Sequence, residues 1–210
     1  MIDWAWIADH LDDLASRTAQ HLYLTMIAVA VGFAISFGLA VWSVRQRRAY
    51  GPILGISGLL YTIPSLALFP LFVPVTGLTD LTALIPLILY SLVIFVRNIV
   101  TGLDGVPAEV LEAADGTGFD PRRRFWQVEV PLALPLIIAG IRLATVSTIG
   151  LVTITGLLGD RFGGLGFFIF EGLRHGFATE IFLGGLGAIA LAVAVDVVLV
   201  RAQRRLSPWM

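Results

Sequence analysis

The strongest constraint in this sequence is a run of 23 residues, Leu22 to Val44, that holds no charged side chain and ends against Arg45, Arg47 and Arg48. A helix rises about 1.5 Å per residue, so about 20 apolar residues cross a hydrocarbon core about 30 Å thick. The run exceeds the apolar region of a signal peptide and has no small-residue cleavage site after it, so it reads as a retained span. Gly51 to Val75 is again uncharged. Leu81 to Val96 is shorter and is extended by Arg97 and Asn98, whose side chains can reach the interface. Pro131 to Leu158 holds one charge, Arg142, and Ile181 to Val200 holds one, Asp196. The reading is an all-α integral membrane protein with about five transmembrane helices, a single transmembrane domain over residues 1–210.

Composition agrees and excludes other classes. Only 14% of residues are charged and 57% are hydrophobic, against about 25% charged in ordinary soluble domains. With 14 basic and 15 acidic residues the net charge is -1, so no cationic field points to nucleic acid. Every basic residue is Arg, which removes Lys Schiff bases and the P-loop lysine. The absence of Cys removes disulfides, thiolate metal sites and Cys nucleophiles. His10, His21 and His175 lack metal-ligand spacing, and no metal site is expected.

The arginines set an orientation. With the N-terminus outside and the C-terminus inside, Arg45, Arg47, Arg48, Arg97, Arg122, Arg123, Arg124, Arg201, Arg204 and Arg205 are internal, while Arg17, Arg161 and Arg174 are external, a clear positive-inside bias. Residues 1–20 read as an external amphipathic segment, with Trp4, Ile7, Leu11 and Leu14 at helical spacing among aspartates. Gly163 to Gly176, with Phe167, Phe168 and Phe170, reads as a second external interfacial element, an aromatic belt at the outer surface, a gate or docking element being the alternative. Arg122, Arg123 and Arg124 beside Trp126 read as an anchor on anionic lipid.

The second span carries Pro64, Pro70 and Pro74. Each removes a backbone donor, and broken helices at membrane depth persist where they are buried in protein or line a wet cavity. Tyr61 to Pro74 is therefore expected to border a translocation path, a kinked packing helix being the alternative. Tyr61, Pro64, Ser65, Phe69 and Phe72 are its candidate residues. The three aromatics could face a cation or simply pack. Arg142 and Asp196 lie in the inner halves of their spans, where they can pair or snorkel.

The one sizeable internal loop is residues 97–130. Pro107 suits the first turn of a helix, Ala108 to Asp115 favours helix, and Gly116 and Gly118 stop it. Asp120 and Pro121 then read as N-cap and first residue of a second helix leading into the membrane. Glu109, Glu112 and Asp115 share one face of the helix over residues 108–118, and Ala113 and Ala114 keep it thin enough for close approach to another surface.

Glu112-Ala113-Ala114, three residues, Gly118, nine residues, then Val128-Glu129-Val130-Pro131 resembles the EAA motif of ATP-binding-cassette importer permeases. Val128 and Val130 stand where the motif has an aliphatic residue and Leu. His21 to Thr25, Tyr61 to Ala67, Arg97-Asn98 with Thr101 to Leu103, Ala139 to Arg142 and Gly163 to Gly166 look like the osmoprotectant (glycine betaine, carnitine, choline) permeases of that family. The resemblance implies that helix 108–118 is a coupling helix docking on a separate cytoplasmic ATPase subunit, with Glu109, Glu112, Ala113, Ala114, Asp115, Gly118 and Pro131 in that role. It also implies a second permease subunit, identical or related, an external solute-binding protein, and a bacterial or archaeal cytoplasmic (inner) membrane. ATP and Mg would be held by the partner, since this chain has no GxxxxGK[ST] segment and is expected to have no catalytic residues or cofactor of its own. An ABC permease for an amino acid or another small solute is the alternative. A secondary transporter or channel has less support, with only Asp196 as an intramembrane carboxylate.

Overall fold

The computed structural model describes residues 2–207. It is helical, in the order α1 (Trp4–Asp9), α2 (Leu11–Arg45), α3 (Arg47–Thr62), α4 (Ser65–Thr76), α5 (Asp80–Asp104), α6 (Ala108–Gly116), α7 (Pro121–Arg124), a π-helical turn (Phe125–Glu129), α8 (Val130–Val152), a 3-10 turn (Thr153–Leu158), α9 (Gly166–His175) and α10 (Ala178–Leu206). Among the described residues four helical runs are long and apolar enough to cross a membrane, and the bent pair α3–α4 makes up to five.

α5 is the hub, packed most heavily on α2 and α8. With no hydrophobic drive between helices in lipid, close packing must supply the association, and small residues permit it. Gly102 of α5 lies directly against Ala133 and Leu136 of α8, and Gly140 of α8 lies against Asn98 of α5. Two apolar clusters result. Ala40, Phe95, Ile99, Phe125, Ala133 and Ile137 fill the arginine-rich end. Leu24, Phe69, Leu84, Leu87, Val152 and Phe162 fill the opposite end. α10 keeps Phe182, Leu186, Ile189 and Val193 exposed.

One sequence expectation is corrected and two are refined. The amphipathic segment is not a separate helix over residues 1–20. α1 is six residues long, and from Leu11 onward the stretch is continuous with the first span because no Gly or Pro interrupts residues 11–31. Trp6 stacks on His10 at 3.9 Å and meets Phe177 edge-on at 5.4 Å, while the Asp3 N–H donates to Thr179 Oγ1 at 3.0 Å. α1 is thereby fastened onto the start of α10.

The helix of the third span runs on into the internal loop. α5 continues through Arg97 and Asn98 to Asp104, since the first residues unsuited to helix are Gly105 and Pro107. In the aromatic segment around α9, Phe162, Leu165 and Phe168 are buried while Phe167 and Phe170 are half-buried, so part of the segment packs inward. Gly166 makes this possible: its backbone lies so close to the Thr153 carbonyl that no side chain would fit between them.

The second span breaks where the sequence predicts. α3 and α4 meet at 97°, with Ile63 extended (φ -66°, ψ 129°) immediately before Pro64. The proline ring disfavours helix in the residue before it and leaves a turn of α3 without its next donor. Pro70 and Pro74 cause no such break and lie inside α4.

Candidate functional site

The turn between α6 and α7 is built by one glycine and one cap. Gly118 has φ +84°, a left-handed conformation that side chains resist. Its N–H donates to the Asp115 carbonyl at 3.0 Å, and the Phe119 N–H donates to that of Ala114 at 3.2 Å. Asp120 Oδ1 then accepts from the N–H groups of Arg122 (2.9 Å) and Arg123 (3.0 Å), starting α7 as an N-cap should.

The acidic face is divided. Asp115 Oδ2 binds Arg124 Nη1 at 2.5 Å, and Arg124 Nε binds Glu129 Oε1 at 3.0 Å. Asp115 therefore braces α6 against the helix entering the membrane. Glu109 and Glu112 are exposed and have no ion-pair partner among the described residues. Ala113 faces outward, whereas Ala114 is buried against the chain itself, so only one of the two alanines thins the free face. Pro131 is half-buried in the first turn of α8.

The arginine cluster is only partly a free anchor. Arg124 is engaged as described, Arg123 Nε donates to Gln127 Oε1 at 3.0 Å, and its guanidinium lies 4.5 Å from the Phe119 ring centre. Beside this loop Arg47 grips Asp104 with two hydrogen bonds, 2.5 and 2.7 Å, closing the α2–α3 corner against the end of α5. Hydrogen bonding to Asp104, and then its charge, raises the Arg47 pKa further above the usual guanidinium value.

At the α3–α4 break a cavity of ≈ 410 Å³ is lined by residues 61–65 together with Tyr90 of α5 and Ser147, Gly150 and Leu151 of α8. Tyr61 and Tyr90 meet edge-to-face, centres 5.6 Å apart and planes at 78°. The Tyr90 hydroxyl donates to the Ile63 carbonyl at the break. Of the five path candidates, Tyr61, Pro64 and Ser65 share this cavity. Phe69 does not: it is 0% exposed, inside the cluster of Leu24, Leu84 and Leu87. Phe72 is half-buried and also off the cavity. The sharp bend explains the split, because it turns the first residues of α4 toward the cavity and the next turn toward the core.

Sequence reasoning missed Tyr90, Ser147 and Gly150. Tyr90 carried a signal, since a hydroxyl in the middle of an apolar span must find a partner, and a broken helix supplies free carbonyls. His21 was also missed. It is fully buried, with Nε2 2.9 Å from the Ile149 carbonyl and Nδ1 accepting from the Leu165 N–H at 3.2 Å. Arg142 and Asp196, left open by the sequence, are paired. Gln203 Oε1 adds a third contact to Arg142 at 3.2 Å. Among the described residues no group of His, Asp and Glu could hold a metal ion.

Comparison with known proteins agrees with this architecture. The chain is 37% identical over 197 residues to the choline transport system permease protein of Bacillus subtilis, covering 93% of this chain and 89% of that one. It is 38% identical over 208 residues to the osmoprotectant import permease protein of Salmonella typhimurium, covering 97% and 96%. The inward-facing MetNI methionine ABC transporter superposes with a TM-score of 0.79 over 92% of this chain and 95% of that one, at 20% identity, which shows the fold. The family model described as binding-protein-dependent transport system inner membrane component matches residues 22–210, and the chain belongs to that family of inner-membrane ABC importer permeases.

Proposed function

We propose that this chain forms half of the pore of an ATP-driven importer for small osmoprotectants such as glycine betaine, carnitine or choline. The observation that carries the coupling part is the α6 face, where Glu109, Glu112 and Ala113 stand exposed on a helix braced at its C-terminal end by Asp115–Arg124. A rigid, outward carboxylate pair suits a partner groove lined with Arg or backbone donors. Relatives named for choline and osmoprotectant transport support the substrate class.

In this reading the arginine-rich end is cytoplasmic, the N-terminus lies outside, and residues 1–210 act as one transmembrane domain. A separate ATPase subunit holds ATP and Mg and receives α6. A second permease subunit completes the pore, and an external binding protein delivers the solute. ATP moves the pore only by binding the two conformations of the assembly unequally. α6 transmits that difference through the Arg124 brace to α8 and through Asp104–Arg47 to α3.

The test is co-expression with an ATPase subunit and a binding protein. Glu112→Arg and Gly118→Val should each release the ATPase during purification, and reconstituted wild type should take up labelled glycine betaine or choline only with ATP inside the ATPase-facing compartment. Uptake by this chain alone, without ATP, would overturn the reading, and ATP-driven uptake of methionine instead would reassign the substrate.

A further inference from the structure

The cavity at the α3–α4 break has a chemistry of its own. Its lining contains no Asp, Glu, Arg or His. A small hard cation or a protonated amine entering it would find no counter-charge in the lining. A fully methylated ammonium has no N–H to satisfy, and its diffuse charge suits aromatic faces. Tyr61 and Tyr90 stand nearly perpendicular, forming two walls of a corner. The Tyr90 hydroxyl is occupied by the Ile63 carbonyl, which fixes that ring, and with Tyr90 buried and Tyr61 half-exposed it is Tyr61 that presents most of the aromatic surface. Ser65 and Ser147 supply hydroxyls beside the corner, suited to a carboxylate or hydroxyl tail. The volume of ≈ 410 Å³ falls within the range of about 300–1,000 Å³ usual for small-molecule sites. Tyr90 lies ten residues from Asp80 at the start of α5, about 15 Å along the helix at 1.5 Å per residue, so the cavity sits well inside the span. Gly150 gives the wall its opening: a Cβ added there meets nothing within 4 Å.

We propose that this cavity is a transit site within the permease that holds a methylated ammonium head group in the corner formed by Tyr61 and Tyr90, so that the permease selects its cargo in addition to the binding protein. The proposal rests on the importer reading above. It makes Tyr61 and Tyr90 specificity-determining residues and Gly150 the residue that keeps the site open.

The chain has no Cys, so Ser147→Cys places a single thiol of this chain in the cavity. In the assembled transporter, tetramethylammonium chloride should slow maleimide labelling of that thiol severalfold relative to sodium chloride at equal concentration. Tyr61→Ala should remove the protection and Tyr61→Phe should keep it. In vesicles, Gly150→Leu should lower uptake of choline and glycine betaine by about tenfold or more, the loss expected when a ligand contact is displaced. Equal labelling rates in the two salts overturn the site, as does wild-type uptake with unchanged solute preference in Gly150→Leu. Either result in vesicles that still import with ATP leaves the importer reading standing. Wild-type vesicles that import nothing on ATP addition would overturn the importer reading and the site with it.

Discussion

Arg142 of α8 forks onto Asp196 of α10, Nε to Oδ1 at 2.9 Å and Nη2 to Oδ2 at 3.0 Å. A charge inside a span is costly unless it is paired or hydrated, and the bidentate geometry also fixes the rotation of α10, whose outer face is otherwise little restrained. The pair therefore aligns the last helix with the core. Arg142→Ala and Asp196→Ala should each lower the thermal midpoint of the purified chain and broaden its size-exclusion peak. Exchange of both residues, Arg142→Asp with Asp196→Arg, should recover more of the midpoint than either reversal alone. A double exchange as damaged as the worse single one would show that the pair does not hold the helices.

Phe69 and Tyr61 separate packing from passage. Phe69 is fully buried, so Phe69→Ala should cost about 3–5 kcal/mol through lost transfer energy and a cavity, read as a lower unfolding midpoint in detergent. Tyr61 is 49% exposed, and Tyr61→Ala should change the midpoint far less. Equal losses of stability in the two variants would contradict this division.

How much was legible follows from which physical rule each feature obeys. The break at Pro64, the N-cap at Asp120 and the turn at Gly118 are local rules, and each is seen where the residues place it. The spans were legible because lipid imposes a length and forbids charge. What was not legible depends on neighbours distant in sequence. Tyr61 and Phe69 look alike along the chain, yet the bend assigns one to a cavity and the other to the core. The end of α5 was not legible because charge at Arg97 signals the membrane edge, not the end of the helix. The burial of Phe162 and Phe168 depends on Gly166 approaching Thr153, a contact that no pattern within either segment announces.

That contact gives a paired test on glycines. Gly166→Ala would drive a Cβ into the Thr153 carbonyl, and the strain of forcing groups into a packed interior is about 1–3 kcal/mol. Gly116 ends α6 with open space around its would-be Cβ, so Gly116→Ala should be neutral or stabilising by up to about 1 kcal/mol. Thermal unfolding of both variants beside wild type measures the difference, and a tolerated Gly166→Ala would mean that the α9 segment can move away from the 3-10 turn.

His21 makes a sharper prediction because its two hydrogen bonds determine its tautomer. The Leu165 N–H can only donate, so Nδ1 must be bare, and the proton on Nε2 then donates to the Ile149 carbonyl. One ring thus joins α2, the end of α8 and the loop before α9. Gln20 reinforces it by accepting from the Gly164 N–H at 2.9 Å, and Gly164, at φ +48°, lies against the imidazole with no room for a side chain. His21→Ala strands a buried N–H and a buried C=O, each costing about 1–3 kcal/mol when unpaired. Amide exchange should therefore quicken over residues 159–166 while α6 and its turn remain as protected as in wild type. His21→Phe, which fills the volume but offers neither bond, should show the same local loss. Unchanged exchange at Leu165 in both variants would mean that packing around Phe162 and Phe168, and not the imidazole, holds this loop in place.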